Sequence, residues 1–504
     1  MRHPPLRRPV RRAAALAGLS ALALWVTGCA SGPDFQHPAA PDVVGYTAVV
    51  IPATTATAAA PTARGEAQRL VPGLDVERAW WRTLKSPKLD ALIAAAFAEN
   101  RSLAAARATL RQAQALHAAQ SGSTELPRVD ANLGTQRQRT NPSTFGQPGD
   151  PREFSLYNAS VGVRYNLDLS GGNRRALEAL AARADFRDHE LEAARLTLAA
   201  NLAATAIAQA RLAAQIAATE AIAQDQDAQV RIAEERVRLG QAADGEVLAL
   251  RTQAAQTRAE LPALRKQLAQ TRHLLATLAG RAPGGASPAW GAEAVPVLDF
   301  SLDDFTLPTE LPLTMPSEWV RRRPDILASE ALMRAANAEY GVAVARRYPQ
   351  VTLSANLGSQ ALTTGALFGG PAAIWSLVGQ LTQPLFNAGL PEERRAALAA
   401  FDAAAANYQV VVLEALRSVA DALRAVDEDA QTLAARAVAD EAAQESLRIV
   451  ERQYRLGAAS HLQQLVARQQ AEQTRIGLIA ARAQRLADSV ALYQAMGVGA
   501  SSGE

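Results

Sequence analysis

The sequence predicts a mainly helical protein with a transmembrane β-barrel, and three observations support this fold class. The chain has 504 residues, of which 49% are hydrophobic and only 5% aromatic, a composition typical of long, closely packed helices. A unit of roughly 220 residues occurs twice in the sequence. Each copy contains segments in which apolar and polar residues alternate, and these segments precede a very long helical segment.

The N-terminus has the features of a lipoprotein export signal. Five arginines precede an uncharged apolar stretch, 13–26, that is too short to span a bilayer as a helix. Cys29, the only cysteine, follows this stretch in the small-residue pattern of a lipoprotein processing site. We therefore predict a signal peptide over residues 1–28 and an acylated Cys29 at the start of the mature chain. The next residue is Ala30 rather than Asp, which favours sorting to an outer membrane.

The mature chain is nearly neutral and begins with an extended segment. Without the five N-terminal arginines, 47 basic residues face 49 acidic residues, and this balance gives no support to nucleic-acid binding. The residues after Cys29 are rich in Pro, Ala, Thr and Gly and have neither a helical nor a strand period. They predict a lipidated N-terminal tether over residues 29–79, with regular structure from about Trp80.

Short sequences of the first half return in the second half at offsets of 217 to 224 residues. For example, the sequence at 131–134 returns at 355–358, and the sequence at 238–240 returns at 455–457. A repeat of this length is too long for a solenoid and predicts a duplicated domain. The predicted divisions are a first repeat over 80–280, an inter-repeat linker over 281–321, a second repeat over 322–497 and a C-terminal tail over 498–504.

Both repeats show the same order of predicted helices. The longest, of 67 residues, would extend over roughly 100 Å, and the two shorter helices of each repeat have nearly this length when stacked end to end. This match predicts antiparallel pairs of equal height. Apolar residues that recur every seven positions from Leu398 to Leu433 indicate a coiled-coil seam. The predicted helices span 100–122, 173–239 and 242–279 in the first repeat, and 324–346, 391–456 and 459–496 in the second.

Two strands are predicted in each repeat, four in all, and three of them show a clear alternation of apolar and polar residues. Over 154–169 one face is apolar or aromatic and the other is polar, and the segments at 351–358 and 375–382 repeat this pattern. The pattern is typical of transmembrane β-barrels, although a half-buried soluble sheet shows the same alternation. Four strands cannot close a barrel, and open sheet edges are not tolerated in a bilayer. Several chains must therefore share one barrel, and three copies would supply twelve strands.

These features, in this order, resemble the TolC-like outer-membrane efflux factors, and among them the NodT-type lipoproteins of resistance-nodulation-division efflux systems. The resemblance covers nearly all of the mature chain. It implies a homotrimer with a twelve-stranded β-barrel in the outer membrane of a Gram-negative bacterium, a long α-barrel in the periplasm and an equatorial region that includes the linker. It also implies a periplasmic adaptor and an inner-membrane pump as partners. The motifs are Cys29 with 32–35, Trp80 and Trp81 with 89–93, 322–326 with 335–337, and 383–386 with Gly389.

The two glycine turns after the long helices are candidate contact sites. Glycine suits the left-handed residue that follows a helix, and arginine can interact with a helix C-terminus, so capping explains these two residue types. It does not explain a leucine at both exposed tips. The resemblance implies that the tips contact the adaptor. The residues of the tips are Arg238, Leu239 and Gly240 in the first repeat, and Tyr454, Arg455, Leu456 and Gly457 in the second.

Residues just past each tip are candidates for a periplasmic gate. The family often places acidic residues there, and the first repeat has Asp244 and Glu246. The second repeat has Gln463, with His461 close by, so a double acidic ring is not expected. Three copies of Asp244 and Glu246 would attract cations at a constriction. Charges on a solvated helix surface are the alternative interpretation.

The sequence offers little for catalysis. Its six histidines are scattered, and we find neither a cysteine cluster nor a glycine loop that could hold a phosphate, so we predict no enzyme activity, cofactor or metal. The predicted function is a passive, gated exit duct for small molecules such as drugs. One alternative is the outer-membrane component of type I protein secretion. Another is a periplasmic coiled-coil adaptor or scaffold, which the alternating strands disfavour.

Overall fold

The structure is a computed structural model that describes most of the chain after residue 30. The predicted signal peptide (1–28), Cys29 and the predicted tail (498–504) lie outside the described residues, so these assignments stay predictions. The described residues are 31–39, 42, 45–48, 50–58, 64–146, 148–283, 299–314, 316–369 and 372–497.

The six predicted helices begin and end within two residues of the predicted positions. The single turn Pro316–Trp319 and one longer helix among the described residues were not predicted. This helix, α1, begins at Pro87 after the N-cap Ser86, whose hydroxyl accepts from the Leu89 amide. The helices in chain order are α1 (Pro87–Glu99), α2 (Arg101–Thr124), α3 (Gly172–Arg238), α4 (Asp244–Leu278), the single turn Pro316–Trp319, α5 (Pro324–Ala345), α6 (Gly389–Arg455) and α7 (His461–Met496).

Among the described residues, two groups of segments pack as separate units, and each unit draws on both sequence repeats. The sheet unit comprises residues 31–37, 110–187 and 329–408. The helical unit comprises residues 38–109, 188–328 and 409–497. The boundaries of the two sequence repeats stay a prediction.

The sheet unit contains a four-stranded antiparallel sheet, whose strands in spatial order are β2 (Arg128–Thr140), β3 (Arg152–Leu167), β5 (Gln350–Ala361) and β6 (Ala373–Thr382). Its register places Val161 of β3 opposite Leu357 of β5, and Leu357 opposite Trp375 of β6. These three side chains are 48%, 67% and 78% exposed, so no other part of the described chain covers this apolar row. Polar positions of β6 are exposed as well, and the lipid-facing orientation of the row stays a prediction.

The helical unit contains regular structure that the sequence did not reveal. Strand β1 (Arg69–Pro72) lies within the predicted tether and pairs in parallel with β4 (Glu310–Leu313). The local sequence does not predict this strand. It forms by pairing with a segment about 240 residues away, and such a distant partner leaves no local pattern. Regular structure therefore begins before Trp80, and part of the tether is integrated into the folded chain.

The coiled-coil seam of α6 is buried where the heptad pattern predicts it, from Tyr408 to Leu433. Leu398, which begins the pattern, is 44% exposed. Ion pairs at a spacing of seven residues join α3 and α4. Arg251 binds Glu234 at 2.6 Å, and Arg265 binds Glu220 at 2.6 Å. Arg258 and Asp227 form the pair between them. Such exposed pairs each contribute roughly 0.2–1 kcal/mol, so they add little to stability and mainly specify the register of the antiparallel helices.

Candidate functional site: the hairpin tips

Both hairpin tips have the same backbone geometry. Gly240 and Gly457 adopt positive φ angles of 71° and 74°, the left-handed conformation that glycine adopts with little strain. The Gln241 amide donates to the Arg236 carbonyl at 2.8 Å, and the Gly240 amide donates to Val237 at 2.9 Å. This is the paired hydrogen-bond pattern of a Schellman motif. The second tip repeats it with Ala458 to Gln453 at 2.8 Å and Gly457 to Tyr454 at 3.0 Å.

The leucines at the tips are exposed. Leu239 is 56% exposed and Leu456 is 84% exposed. The capping hydrogen bonds of the tips are made by the backbone, so they do not require these side chains. A Cβ atom built on Gly240 or Gly457 meets no atom within 4 Å. Capping therefore accounts for the glycines, and it leaves an apolar side chain in solvent at both tips, where it could contact another protein.

The tip arginines differ in their partners. Arg455 Nε donates to the Glu451 carbonyl at 3.4 Å in the last turn of α6, as a C-terminal capping interaction would. Arg238 instead binds the carboxylate of Glu235 through Nε at 2.8 Å, and this hydrogen bond lowers the pKa of Glu235. Tyr454 packs its ring against His461, with centroids 5.6 Å apart.

Glu246 joins the two hairpins. Its carboxylate lies 3.3 Å from Arg236 Nη1 on α3 and 3.6 Å from His461 Nε2 at the start of α7. Both ring nitrogens of His461 are buried, and neither has a hydrogen-bond partner among the described residues. Leu465 of α7 packs nearby against the buried residues Val247 and Leu250 of α4. The contact between the tips thus combines an apolar cluster with the ion pair of Glu246 and Arg236 and the buried ring of His461.

The other predicted gate residues have different surroundings. Asp244 is exposed in the first turn of α4, where its charge is favourable for the helix dipole. Gln463 is the third residue of α7 and forms a capping box with Ser460, because its Oε1 accepts the Ser460 amide at 2.7 Å. Its side chain is therefore directed to the beginning of its own helix.

Sequence reasoning missed Ser460 and Arg236. The Ser-x-x-Gln pattern at 460–463 is a readable capping-box signal, and it would have assigned Gln463 a structural role. The pairing of Arg236 with Glu246 has no such signal, because it depends on how the turn brings the two helices together. Within the described residues, no group of three or more His, Cys, Asp or Glu could hold a metal ion.

The chain matches a protein family over both repeats. The family described as "Outer membrane efflux protein" matches residues 92–281 and 315–498. These two ranges include both hairpins and all four strands of the sheet.

Individual relatives have related descriptions. The chain is 28% identical to the toluene efflux pump outer membrane protein TtgC of Pseudomonas putida over 489 residues, which cover 96% of this chain and 95% of TtgC. It is 30% identical to the pyoverdine export outer membrane protein OpmQ of Pseudomonas aeruginosa, over 84% of this chain and 87% of OpmQ. Among solved structures, the outer membrane protein VceC of Vibrio cholerae aligns with a TM-score of 0.74 and 25% identity, over 84% of this chain and 100% of VceC.

Proposed function

The chain belongs to the outer membrane efflux protein family, and we propose that it acts as the homotrimeric exit duct of a tripartite efflux pump. As an outer-membrane efflux channel, it lies in the outer membrane of a Gram-negative bacterium and extends into the periplasm. Its family consists of channels rather than enzymes. In this proposal an inner-membrane pump of the resistance-nodulation-division class supplies the energy, and a periplasmic adaptor couples pump and duct.

The open four-stranded sheet carries the proposal. Strands β2 and β6 each have one edge without a strand partner among the described residues. A bilayer does not tolerate such edges, and the exposed apolar rows suit a lipid-facing surface. Three copies give twelve strands, above the minimum of about eight for a closed barrel.

Exposed apolar residues on α6 support assembly as well. This helix contains an apolar window long enough to cross a membrane, but core helices of soluble proteins can pass the same test. Val410 and Leu413 are 57% and 66% exposed. In the proposed trimer they pack against a neighbouring copy, because α6 carries too many charges outside this window to be a lipid-embedded helix along its whole length.

The hairpin tips suit the contact with the adaptor. Both present an exposed leucine beside an arginine on a glycine turn, so six similar tips would surround the mouth of a trimer. An apolar anchor with a cationic rim is a common composition for protein interfaces.

Small molecules are the proposed substrates. The matched relatives are named for toluene and for pyoverdine, which are chemically unlike, so selection of the substrate is assigned to the pump rather than to the duct. The proposal includes acylation of Cys29, which would anchor the mature N-terminus in the membrane.

We expect native mass spectrometry of the detergent-purified protein to give three subunits per particle. The physical reason is that edge strands in hydrocarbon must be paired, and the described residues supply no further strand to pair them, so neighbouring copies must do so. The same protein, expressed in a strain that lacks its own outer-membrane efflux channel, should restore tolerance of solvents and antibiotics. A stable monomer in membranes would contradict the shared barrel.

We expect Asp244→Asn to reduce the cation selectivity of the channel more than Glu246→Gln does. Asp244 is exposed and has no ion-pair partner among the described residues, whereas Arg236 compensates part of the Glu246 charge at 3.3 Å. Like charges around a narrow mouth concentrate counter-ions, and salt screens them over about 8 Å at physiological ionic strength. The measurement is the reversal potential in planar bilayers under a KCl gradient. If neither variant changes it, these carboxylates do not line the tunnel.

A further inference from the structure

Residues 31–34, close behind Cys29, are held in a socket of the sheet unit. The side chain of Arg175, at the start of α3, is only 5% exposed in this socket. Its Nε donates to the Ser31 carbonyl at 3.1 Å, and its Nη2 donates to the Gly32 carbonyl at 3.4 Å and to the Asp34 carboxylate at 2.6 Å. The remaining Nη1 binds Glu178 at 2.7 Å. We call the residues that receive this segment, Ser170, Arg175, Glu178, Asn337 and Gly341, the N-terminal socket.

The backbone fits the socket closely. Gly32 has a φ of 83°, and a Cβ atom on it would lie 2.8 Å from the Gly341 Cα. A Cβ atom on Gly341 would in turn lie 2.8 Å from the Ser31 carbonyl oxygen. Any side chain at either position would therefore separate the two segments.

Further hydrogen bonds hold the segment along its length. The Ser31 amide donates to the Ser170 carbonyl at 3.0 Å, and Asn337 Nδ2 donates to the Pro33 carbonyl at 3.1 Å. His37 Nδ1 lies 2.5 Å from the Glu330 carboxylate. A solvated tether would need none of these contacts, and burial of an arginine without them would be costly. The segment is therefore part of the folded sheet unit.

The socket lies near the end of a strand. Ser170 is three residues beyond Leu167, the last residue of β3. Two peptide steps separate Cys29 from Ser31, and such a stretch spans at most about 7 Å. A lipid on Cys29 must therefore leave the protein close to the socket, at the end of β3 that leads into α3.

We propose that Arg175 is a positioning residue for the lipid anchor. It holds residues 31–34 in the N-terminal socket, so that the acyl chains on Cys29 enter the bilayer beside the ends of the strands and keep the sheet at the membrane while the barrel assembles. This inference rests on the proposed acylation and on the proposed shared barrel. In this proposal the socket binds residues 31–34 of the same chain. The acyl chains on Cys29 insert into the adjacent lipid leaflet.

The first test is chymotrypsin cleavage after Phe35 in the purified, lipidated trimer. Loss of charged hydrogen bonds to a segment raises the population of its open form, so we expect Arg175→Ala to be cleaved about tenfold faster than the wild type. The matched control is Arg183→Ala on the same helix, which removes only an exposed ion pair with Glu339. Gly32→Ala alters the segment and not the socket, and it should also be cleaved faster even if Arg175→Ala fails to fold. Equal cleavage of Gly32→Ala and the wild type would overturn the socket.

The second test separates positioning of the lipid from a purely structural role. Formation of the heat-resistant trimer is followed after synthesis for the wild type, Gly32→Ala, Cys29→Ser behind a conventional secretory signal, and the double variant. We expect Gly32→Ala to slow assembly severalfold in the lipidated protein and to have no further effect in the Cys29→Ser protein. The same slowing in both backgrounds would mean that the socket only stabilises the fold.

Mass spectrometry of the N-terminal peptide distinguishes failure of the proposed acylation from failure of the proposed positioning role. A peptide that starts at Cys29 and carries a lipid mass supports the premise of the proposal. An unmodified thiol or an intact Met1 would remove the proposed anchor and the role of Arg175 with it. A lipidated peptide together with equal slowing by Gly32→Ala in both backgrounds would leave the acylation standing and overturn the positioning of the lipid by the socket, and with it the role proposed for Arg175.

Discussion

We expect Arg485→Met to lower the free energy of unfolding of the helical unit by about 3 kcal/mol or more. Arg485 on α7 is 1% exposed, and its guanidinium binds the Thr55 hydroxyl at 2.7 Å and the Gln68 amide oxygen at 3.2 Å. It also donates to the carbonyls of Ala56 and Glu66 at 3.2 and 3.0 Å. Methionine fills a similar volume but leaves these buried acceptors without a donor.

The loss should be larger at pH 8 than at pH 5, because Asp488 lies in the same region. Burial, and then the neighbouring Asp429 carboxyl, raises the pKa of Asp488 to about 7, and Arg485 opposes this increase. A raised folded-state pKa means that the contribution of Asp488 to stability is complete below its ordinary pKa of 3.8 and is lost as the pH rises through the raised value. Without Arg485 the pKa rises further, so ionisation of Asp488 at pH 8 becomes more costly.

Thermal unfolding of the detergent-solubilised protein, at both pH values, tests this prediction. Arg475→Met is the matched control, because Arg475 lies on the same helix and is exposed. Its melting temperature should change little. An equal change for Arg485→Met and Arg475→Met would show that the contacts to residues 55–68 contribute nothing to stability.

The long helices could be predicted from the sequence because their signals are local. Heptad apolar residues, sustained length and a glycine directly after the last turn all lie within the helix or next to it. The alternation of apolar and polar residues in the strands is equally local. The strand register keeps apolar residues in one row, because Leu357 lies opposite both Val161 and Trp375. The ion pairs between α3 and α4 could have been found too, because their positions repeat every seven residues on both helices.

The integration of the predicted tether could not be found in this way. Arg175 and Arg485 occur on long helices that carry many arginines, and nothing in the local pattern distinguishes the two buried ones. Their partners lie about 140 and 420 residues away in the sequence. At the tips, the residue types and turns were predictable, but the contact of Glu246 with both Arg236 and His461 is decided by side-chain packing.

We expect Gly240→Asp and Gly457→Asp to weaken coupling to the adaptor strongly and to leave trimer assembly intact. The strain of a non-glycine residue at φ angles of 71° and 74° costs about 1 kcal/mol, and an acidic side chain at a helix C-terminus costs roughly a further 0.3–1 kcal/mol. These costs are small against the packing of helices 67 residues long. No clash adds to them, because the Cβ position is open at both glycines.

The effect on coupling should be much larger than the effect on folding. Each carboxylate would lie beside an exposed leucine, Leu239 or Leu456, at the centre of the proposed contact, where a desolvated charge without a partner costs about 2 kcal/mol or more, roughly thirtyfold in affinity. The measurements are co-purification of the adaptor and drug susceptibility of cells at equal protein level. Gly457→Asn is the matched control, because asparagine has the size of aspartate, tolerates the left-handed conformation and carries no charge. Normal export by both aspartate variants would place the adaptor contact elsewhere. Failure of Gly457→Asn to the same extent as Gly457→Asp would assign the loss to the turn geometry instead of the charge.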